Sequence, residues 1–180
     1  MHLTISSDVM EIEVKVPIRD REGVLSRILS LGGKKTSEKV QEDLYFKHPC
    51  RDLGRTDEAL RLRRDGADEV LTYKGPKLDG RSKTREEIEF HVPFEESRRL
   101  LEKLGFEGSF RVKKWREEFD LPNVKICLDD VEGLGCFLEL EYKGQDVEEG
   151  LRMIGNLKKE LGVEGSETRS YLEMLYFNEK

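Results

Sequence analysis

Hydrophobic and polar residues alternate strictly near the start of the chain. Between Met10 and Val16 every second residue is apolar, which is the period of a half-buried β-strand, and Pro17 ends the stretch. Residues 20–31 instead carry apolar side chains at helical spacing, and Gly32-Gly33 ends the predicted helix. The opening pattern therefore predicts a strand that is followed directly by a helix.

The same pattern occurs a second time further along the chain. Glu87–Pro93 repeats the alternation of Glu11–Pro17 at a distance of 76 positions (11 to 87), and a helix is again predicted, over Phe94–Leu104. Three strands follow each helix, so the sequence indicates an internal duplication of one strand, one helix and three strands. These strands are predicted over Lys39–Phe46, Ala59–Arg64, Glu69–Lys74, Phe110–Phe119, Val124–Asp129 and Gly135–Lys143.

Two copies of this unit predict an α+β fold with eight mostly antiparallel strands. So many antiparallel strands with few helices favour a closed or nearly closed β-barrel, with the helices on the outside. The tail adds a third helix over Asp146–Leu161 and a short element over Thr168–Phe177, and we expect this tail to cover part of the outside. Residues 1–9 are interpreted as a short polar extension ahead of a single domain, residues 10–180.

Alternation also sorts the charged side chains onto one face of each predicted strand. If these faces point to water, they form an ordinary solvated surface. If the sheet closes with helices outside, the charges line the interior, which is tolerable only in a wet cavity that holds a charged ligand. Basic residues would then bind a polyphosphate, and acidic residues would bind metal ions. The charged faces hold Glu11, Glu13, Lys15, Arg61, Arg63, Lys74, Lys83, Arg85, Glu87, Glu89, Lys114, Arg116, Lys125, Asp129, Glu139, Glu141 and Lys143.

The amino-acid composition limits the classes of protein to which this chain can belong. Charged residues make up 39% of the 180 residues, but 32 basic and 38 acidic side chains give a net charge of −6, which argues against a nucleic-acid binder. Three cysteines without a CxxC pair predict neither a disulfide framework nor a zinc site, and favour a cytoplasmic location. No apolar run approaches the roughly 20 residues that a membrane span needs.

Several short motifs, taken together, carry a resemblance to a known family. Glu11-Ile12-Glu13-Val14-Lys15 resembles the ExExK signature of the CYTH superfamily, the triphosphate tunnel metalloenzymes. Residues 48–60 are similar in detail to the class IV adenylate cyclase branch and its archaeal and bacterial relatives. The further matching motifs, in chain order, are Leu60-Arg61-Leu62-Arg63, Thr72-Tyr73-Lys74-Gly75-Pro76, Arg85-Glu86-Glu87-Ile88-Glu89, Lys114-Trp115-Arg116, Leu128-Asp129, residues 134–141 and Ser170-Tyr171-Leu172.

The resemblance implies a barrel with a charged tunnel and assigns roles to residues by motif. It implies Mg²⁺ or Mn²⁺ ligands among the acids and triphosphate ligands among the bases. Glu11, Glu13, Lys15, Lys114 and Arg116 are the implied catalytic residues. The implied metal ligands are Glu11, Glu13, Asp129, Glu139 and Glu141. The implied triphosphate ligands are Lys15, Arg61, Arg63, Lys74, Arg85, Lys114 and Arg116.

The activity that the resemblance implies is a metal-dependent adenylate cyclase, which converts ATP to cyclic AMP and pyrophosphate. The alternative is a metal-dependent triphosphatase that hydrolyses thiamine triphosphate, a nucleoside triphosphate or inorganic tripolyphosphate. A further alternative is a module that binds a nucleotide or polyphosphate without turnover. ATP or another triphosphate is the expected small-molecule partner, neither a membrane nor a nucleic acid is expected, and a homodimer is compatible with the family.

Overall fold

The computed structural model of the protein describes residues 12–77, 85–144 and 146–177. Within these ranges the eight strands are β1 (Ile12–Pro17), β2 (Lys34–Lys47), β3 (Ala59–Asp65), β4 (Asp68–Lys77), β5 (Arg85–His91), β6 (Glu107–Leu121), β7 (Val124–Val131) and β8 (Gly135–Tyr142). The four helices are α1 (Arg21–Ser30), α2 (Phe94–Lys103), α3 (Val147–Glu160) and α4 (Tyr171–Tyr176). The predicted extension, residues 1–9, lies outside the described residues.

The order of these elements confirms the predicted α+β fold of two similar units, and all paired strands are antiparallel. The strand order is β1-β8-β7-β6-β2-β3-β4-β5. If each strand of the first unit (β1 to β4) is exchanged with its counterpart in the second unit (β5 to β8), the same order is obtained, read in the opposite direction. The sheet therefore has a pseudo-twofold relation centred between β2 and β6. β1 and β5 are the two edges, and hydrogen bonds do not join them within the described ranges, so the predicted closed barrel is not confirmed.

Strands β2 and β6 are longer than the alternation predicts. β2 has 14 residues and β6 has 15, and they pair from Lys34 opposite Asp120 to Lys47 opposite Glu107, with two register shifts. The added residues are largely polar, and backbone pairing with the partner strand, rather than an apolar face, keeps them extended. This long ladder is the seam between the two units.

The apolar face of the sheet is covered by helices, as predicted. Val16 and Leu138 belong to the largest core cluster, which includes buried residues of α1 and α3 such as Ile28 and Ile154. A second cluster joins Leu62 on β3 to Phe94 and other residues of α2. No helix in the described part of the chain combines the length and apolarity that would let it cross a membrane.

Helix α4 differs from the prediction that the tail covers the outside. Its buried residues Tyr171 and Met174 pack with Val112, Val131 and Phe137. The last three are in phase with the charged positions of β6, β7 and β8, so they form an apolar patch at one end of the charged face. Burying this patch places α4 on the charged face, whereas α3 lies on the outside.

Replacing a core residue of the outer face should destabilise the fold. Leu138 is fully buried between the sheet and the helices, so Leu138→Ala should lower the free energy of unfolding by about 2–5 kcal/mol. Urea unfolding would measure the change. Leu151→Ala on α3, where the side chain is 57% exposed, should change it by less than about 0.5 kcal/mol. Equal effects would contradict the assigned core.

Candidate functional site

The central part of the charged face is buried. Lys15, Arg61 and Lys114 are only 4%, 8% and 5% exposed, so the solvent-facing interpretation of these side chains is wrong. They lie on the face opposite α1, α2 and α3, and the strand register brings basic and acidic residues side by side. The register pairs on this face are Lys15 with Glu139, Arg116 with Asp129, Arg63 with Asp43, Arg61 with Thr72, and Lys74 with Glu87.

Asp129 is the most enclosed acid of this face, at 1% exposure. Its Oδ1 accepts a hydrogen bond from Arg116 Nε at 2.7 Å, and its Oδ2 accepts one from Arg116 Nη2 at 2.5 Å. Oδ2 also accepts from Lys114 Nζ at 3.1 Å and from the Tyr171 hydroxyl at 2.8 Å. The predicted metal role of Asp129 stays a prediction; here its oxygens are surrounded by protein donors, an arrangement suited to orienting the two cations.

Glu139 on β8 connects Arg116 on β6 with Lys15 on β1. Its carboxylate accepts a hydrogen bond from Arg116 and lies 3.5 Å from Lys15 Nζ. Burial alone would raise the pKa of Glu139, but the charges of Arg116, Lys114 and Lys15 outweigh burial and hold that pKa well below its usual range. Glu139 is therefore ionised at neutral pH and neutralises part of the basic charge.

Asp43 on β2 is a member of the site that sequence reasoning missed. Arg63 donates two hydrogen bonds to its carboxylate, from Nε to Oδ1 at 2.6 Å and from Nη2 to Oδ2 at 2.8 Å. Burial would raise the pKa of Asp43, but the hydrogen bonds and charge of Arg63 lower it below its usual value. In the sequence Asp43 alternates in phase with Gln41 and Tyr45, but only the pairing of this strand with β3 and β6 shows that these positions belong to the charged face.

Arg61 is a buried guanidinium without an acid partner among the described residues. Its Nη2 donates to Thr72 Oγ1 at 3.2 Å, while its buried Nε has no hydrogen-bond partner. Thr72 in turn donates to Glu89 at 3.0 Å. Arg61 also lies near Tyr45 and Asp43 without forming an ion pair with that acid. An unpaired buried charge is costly, and an anionic ligand beside it would remove that cost.

These residues form a cluster with an excess of positive charge. We call the following eight residues the basic cluster: Lys15, Arg61, Arg63, Lys114, Arg116, Asp43, Asp129 and Glu139. Five cations against three carboxylates leave two positive charges uncompensated. Burial, and secondly the neighbouring Arg116 charge, lower the pKa of Lys114 below its usual value.

Side chains from separated strands converge within the basic cluster. Lys15 on β1 and Lys114 on β6 are separated by two intervening strands, which in a flat sheet would place them about 14 Å apart. Their Nζ atoms nevertheless lie 4.2 Å and 4.9 Å from the centroid of one ring, that of Tyr171. The side chains of these separated strands therefore converge on a common space.

The remaining predicted residues lie along the rim of this space or outside the described part. Glu13 and Glu141 are direct partners across β1 and β8 and are partly buried. Lys74 pairs with Glu87 at 2.6 Å. Glu11 precedes the described residues, and of Arg85 only the backbone position at the start of β5 is described. Among the residues described, no group of three or more His, Cys, Asp or Glu side chains is placed to hold a metal ion.

Comparison with known proteins shows the family. The model of the CYTH domain family matches residues 10–173. This chain belongs to the CYTH family. A protein of Methanocaldococcus jannaschii, provisionally named an adenylate cyclase, is 40% identical over 172 residues, which cover 92% of this chain and 98% of the relative.

Solved structures of CYTH relatives share the fold. The PH1819 protein of Pyrococcus horikoshii OT3 is 40% identical with a TM-score of 0.78, and the match covers 94% of this chain and 99% of that one. A Hippeastrum protein, provisionally named an adenylyl cyclase and described as having a dominant triphosphatase activity, is 22% identical with a TM-score of 0.68. That match covers 94% of this chain and 96% of the other, and at this identity it supports the fold alone.

The depressed pKa of Asp43 gives a testable pH dependence of stability. Because the pKa of this carboxyl is lowered on folding, its stabilising contribution is present above about pH 4 and is lost as the pH falls further. Asp43→Asn should cost about 3 kcal/mol at pH 7, since Arg63 loses its partner, and the deficit should shrink toward pH 3.

Urea unfolding of both proteins between pH 3 and pH 7 measures this difference. Asp120→Asn serves as the control, because Asp120 forms a surface pair with Lys143 at 2.7 Å and should cost less than about 1 kcal/mol. A deficit for Asp43→Asn that stayed constant over the whole pH range would contradict the assigned ion pair.

Proposed function

We propose that this CYTH protein binds ATP on the basic cluster and, with Mg²⁺ or Mn²⁺, converts it to cyclic AMP and pyrophosphate. The observation that carries the proposal is the excess of buried positive charge, above all Arg61, whose guanidinium has no carboxylate partner within the described residues. A triphosphate is a polyanion that supplies the missing charge and several acceptor oxygens. The naming of the 40% identical Methanocaldococcus relative supports the cyclase over other triphosphate reactions.

The arginines can bind phosphate without giving up their acids. Asp43 takes the Nε and Nη2 donors of Arg63, and Asp129 and Glu139 take the same donors of Arg116. The Nη1 groups make no hydrogen bond to the described protein groups and stay available to a ligand. The acids would thus fix the planes of the two guanidinium groups, and the phosphate oxygens would bind to the remaining edge.

The acidic residues near the rim fit a divalent cation. Glu13 and Glu141 are direct cross-strand partners on the charged face, so their carboxylates can reach a common ion. Carboxylate oxygens are the donors that Mg²⁺ and Mn²⁺ prefer, together with phosphate oxygens. In our proposal these two residues hold the ion with Glu11, and a bound ion would neutralise phosphate charge and acidify the attacking hydroxyl.

The reaction is intramolecular in ATP. The ribose 3′-oxygen forms a bond to the α-phosphorus, the bond from that phosphorus to the bridging oxygen breaks, and pyrophosphate leaves while the hydroxyl proton passes to solvent. Lys15, Lys114 and Arg116 would hold the phosphates and stabilise the charge that grows on the leaving pyrophosphate. No protein base is required, because positioning and charge neutralisation lower most of the barrier.

A triphosphatase is the second candidate. The same groups could direct water at the terminal phosphorus, and the related Hippeastrum protein is described with a dominant triphosphatase activity. We further propose that β1 and β5 approach each other to complete the predicted tunnel. The cytoplasmic location, the homodimer and the absence of nucleic-acid binding stay predictions.

Product analysis distinguishes the candidates. The protein is incubated separately with ATP, thiamine triphosphate and tripolyphosphate, each with Mg²⁺, with Mn²⁺ or with EDTA. Cyclic AMP with pyrophosphate supports the cyclase, and inorganic phosphate supports the triphosphatase. Saturable binding without products would contradict both enzymes, and absence of binding would contradict the triphosphate site itself.

Arg61 should show opposite effects on function and stability. Arg61→Gln removes a buried charge that lacks an acid partner, so the free energy of unfolding should stay within about 1 kcal/mol or rise. The same change should lower kcat/KM for the triphosphate by about 100-fold. Arg152→Gln on the exposed surface of α3 is the control and should change neither quantity. A severe loss of stability without loss of activity would reverse the assignment.

Glu13 should affect catalysis through the metal rather than through phosphate binding. Glu13→Gln should lower the Mg²⁺-dependent rate about 100-fold, while tripolyphosphate binding measured in EDTA stays within about threefold of the wild type. Glu38→Gln, on an exposed position of β2, controls for the loss of one negative charge. Full activity of Glu13→Gln would remove Glu13 from the metal site.

A further inference from the structure

The C-terminal segment contacts Lys15 at three points. The backbone N–H of Glu167 donates to the Lys15 carbonyl oxygen at 2.7 Å, and Lys15 Nζ donates to the Arg169 carbonyl oxygen at 3.2 Å. The third contact is the ring of Tyr171, whose centroid lies 4.2 Å from Lys15 Nζ. The backbone and the ammonium group of this lysine are therefore both held by residues 167–171.

The Tyr171 ring contacts a second lysine as well. Lys114 Nζ lies 4.9 Å from the same centroid, so two ammonium groups from separated strands share one aromatic ring. The two like charges repel, and the electron-rich face of an aromatic ring attracts each of them. The ring thus acts together with Asp129, which pairs with Lys114, and Glu139, which pairs with Lys15, in holding the two cations close to each other.

The ring itself is fixed on three sides. Its hydroxyl donates to Asp129 Oδ2 at 2.8 Å, and its edge packs against Phe137 with ring centroids 5.2 Å apart. Ser170 and Glu173 form a reciprocal capping box that fixes the start of α4. Tyr171 is 7% exposed, so neither solvent nor a neighbouring side chain gives it an alternative position.

We propose that Tyr171 is a positioning residue that holds the ammonium groups of Lys15 and Lys114 in place for the phosphate chain. Lysine side chains are flexible, and ordering two of them when the ligand binds would weaken binding. A ring that orders both beforehand removes that loss. The role in binding rests on the proposed triphosphate function, whereas the placement of the two lysines does not.

One experiment tests the placement without any ligand. Lysine side chains near the face of a ring show upfield-shifted ¹H resonances, so ¹³C-lysine NMR should show such shifts for Lys15 and Lys114, assigned by Lys15→Arg and Lys114→Arg. The shifts should persist in Tyr171→Phe, which keeps the ring, and vanish in Tyr171→Leu. Spectra of Tyr171→Leu that match the wild type at both lysines would overturn the proposal.

A second experiment tests the consequence for binding. Tripolyphosphate affinity is measured calorimetrically in EDTA, so that no metal contributes. Tyr171→Leu should bind about tenfold more weakly than the wild type, and Tyr171→Phe should stay within about threefold. Met174→Ala, which weakens the same apolar cluster without touching either lysine, should lower Tm as much as Tyr171→Leu does yet keep the affinity within about twofold.

The outcomes separate the possible failures. Equal losses of affinity in Tyr171→Leu and Met174→Ala would mean that Tyr171 acts only through packing, which overturns the proposal. Equal losses in Tyr171→Phe and Tyr171→Leu would move the effect from the ring to the hydroxyl and overturn it as well. If the wild type shows the NMR shifts but binds no tripolyphosphate, the proposed function fails while the lysine placement stands.

Discussion

The site depends on one buried carboxylate, that of Asp129. A charged group at this depth is tolerated only because donors from β6 and α4 surround it, and those donors include the two cations nearest the proposed substrate. The main role of Asp129 is therefore to orient Arg116, Lys114 and Tyr171 through its hydrogen bonds, rather than to stabilise the fold. The other acids of the basic cluster repeat this arrangement on a smaller scale, as Asp43 does for Arg63.

The two faces of the sheet oppose each other energetically. Leu138, Leu140 and their neighbours bury apolar surface against α1 and α3, and this burial stabilises the fold. The basic cluster on the opposite face keeps five cations and three carboxylates largely away from water, which destabilises the unliganded protein. Arg61, which forms no ion pair among the described residues, adds to this cost, and an anionic ligand of the kind proposed above would offset it.

Much of the fold could be predicted from the alternation of apolar and charged residues, because this alternation shows which side chains of each strand share a face. Glu13, Lys15, Arg61, Arg63, Lys114 and Arg116 were assigned to one face from their own strands, and the structure places those side chains on one face. Asp43 was missed because its strand was predicted without a charged face, although its partners β3 and β6 had one. Finding it required the strand order, which alternation within a single strand does not contain.

The position of helix α4 could not be predicted from the sequence for a similar reason. The pattern of Tyr171 and Met174 predicts that they are buried, but not which surface buries them. Val112 stands in phase with Lys114 and Arg116, and this interruption of the charged face was the available signal. Only when Val112, Val131 and Phe137 come together across three strands does an apolar patch appear that can receive the helix.

Because of this apolar patch, the two ends of the charged face differ in chemical character. Along β8 the inward residues run from Phe137 under α4 through Glu139 in the basic cluster to Glu141 beside Glu13, and β6 runs in parallel order from Val112 through Lys114 to Glu118. The face is thus apolar at one end and mainly cationic in the middle, and its other end holds Glu13, Glu118 and Glu141 together with Lys125. In the proposed function, a metal-bound polyphosphate would lie with its phosphates on the cations and its metal toward Glu13 and Glu141. Because α4 covers the apolar end on the side of β6, β7 and β8, we expect a hydrated ion to approach from the end that holds Glu13 and Glu141, where it would not cross buried apolar surface.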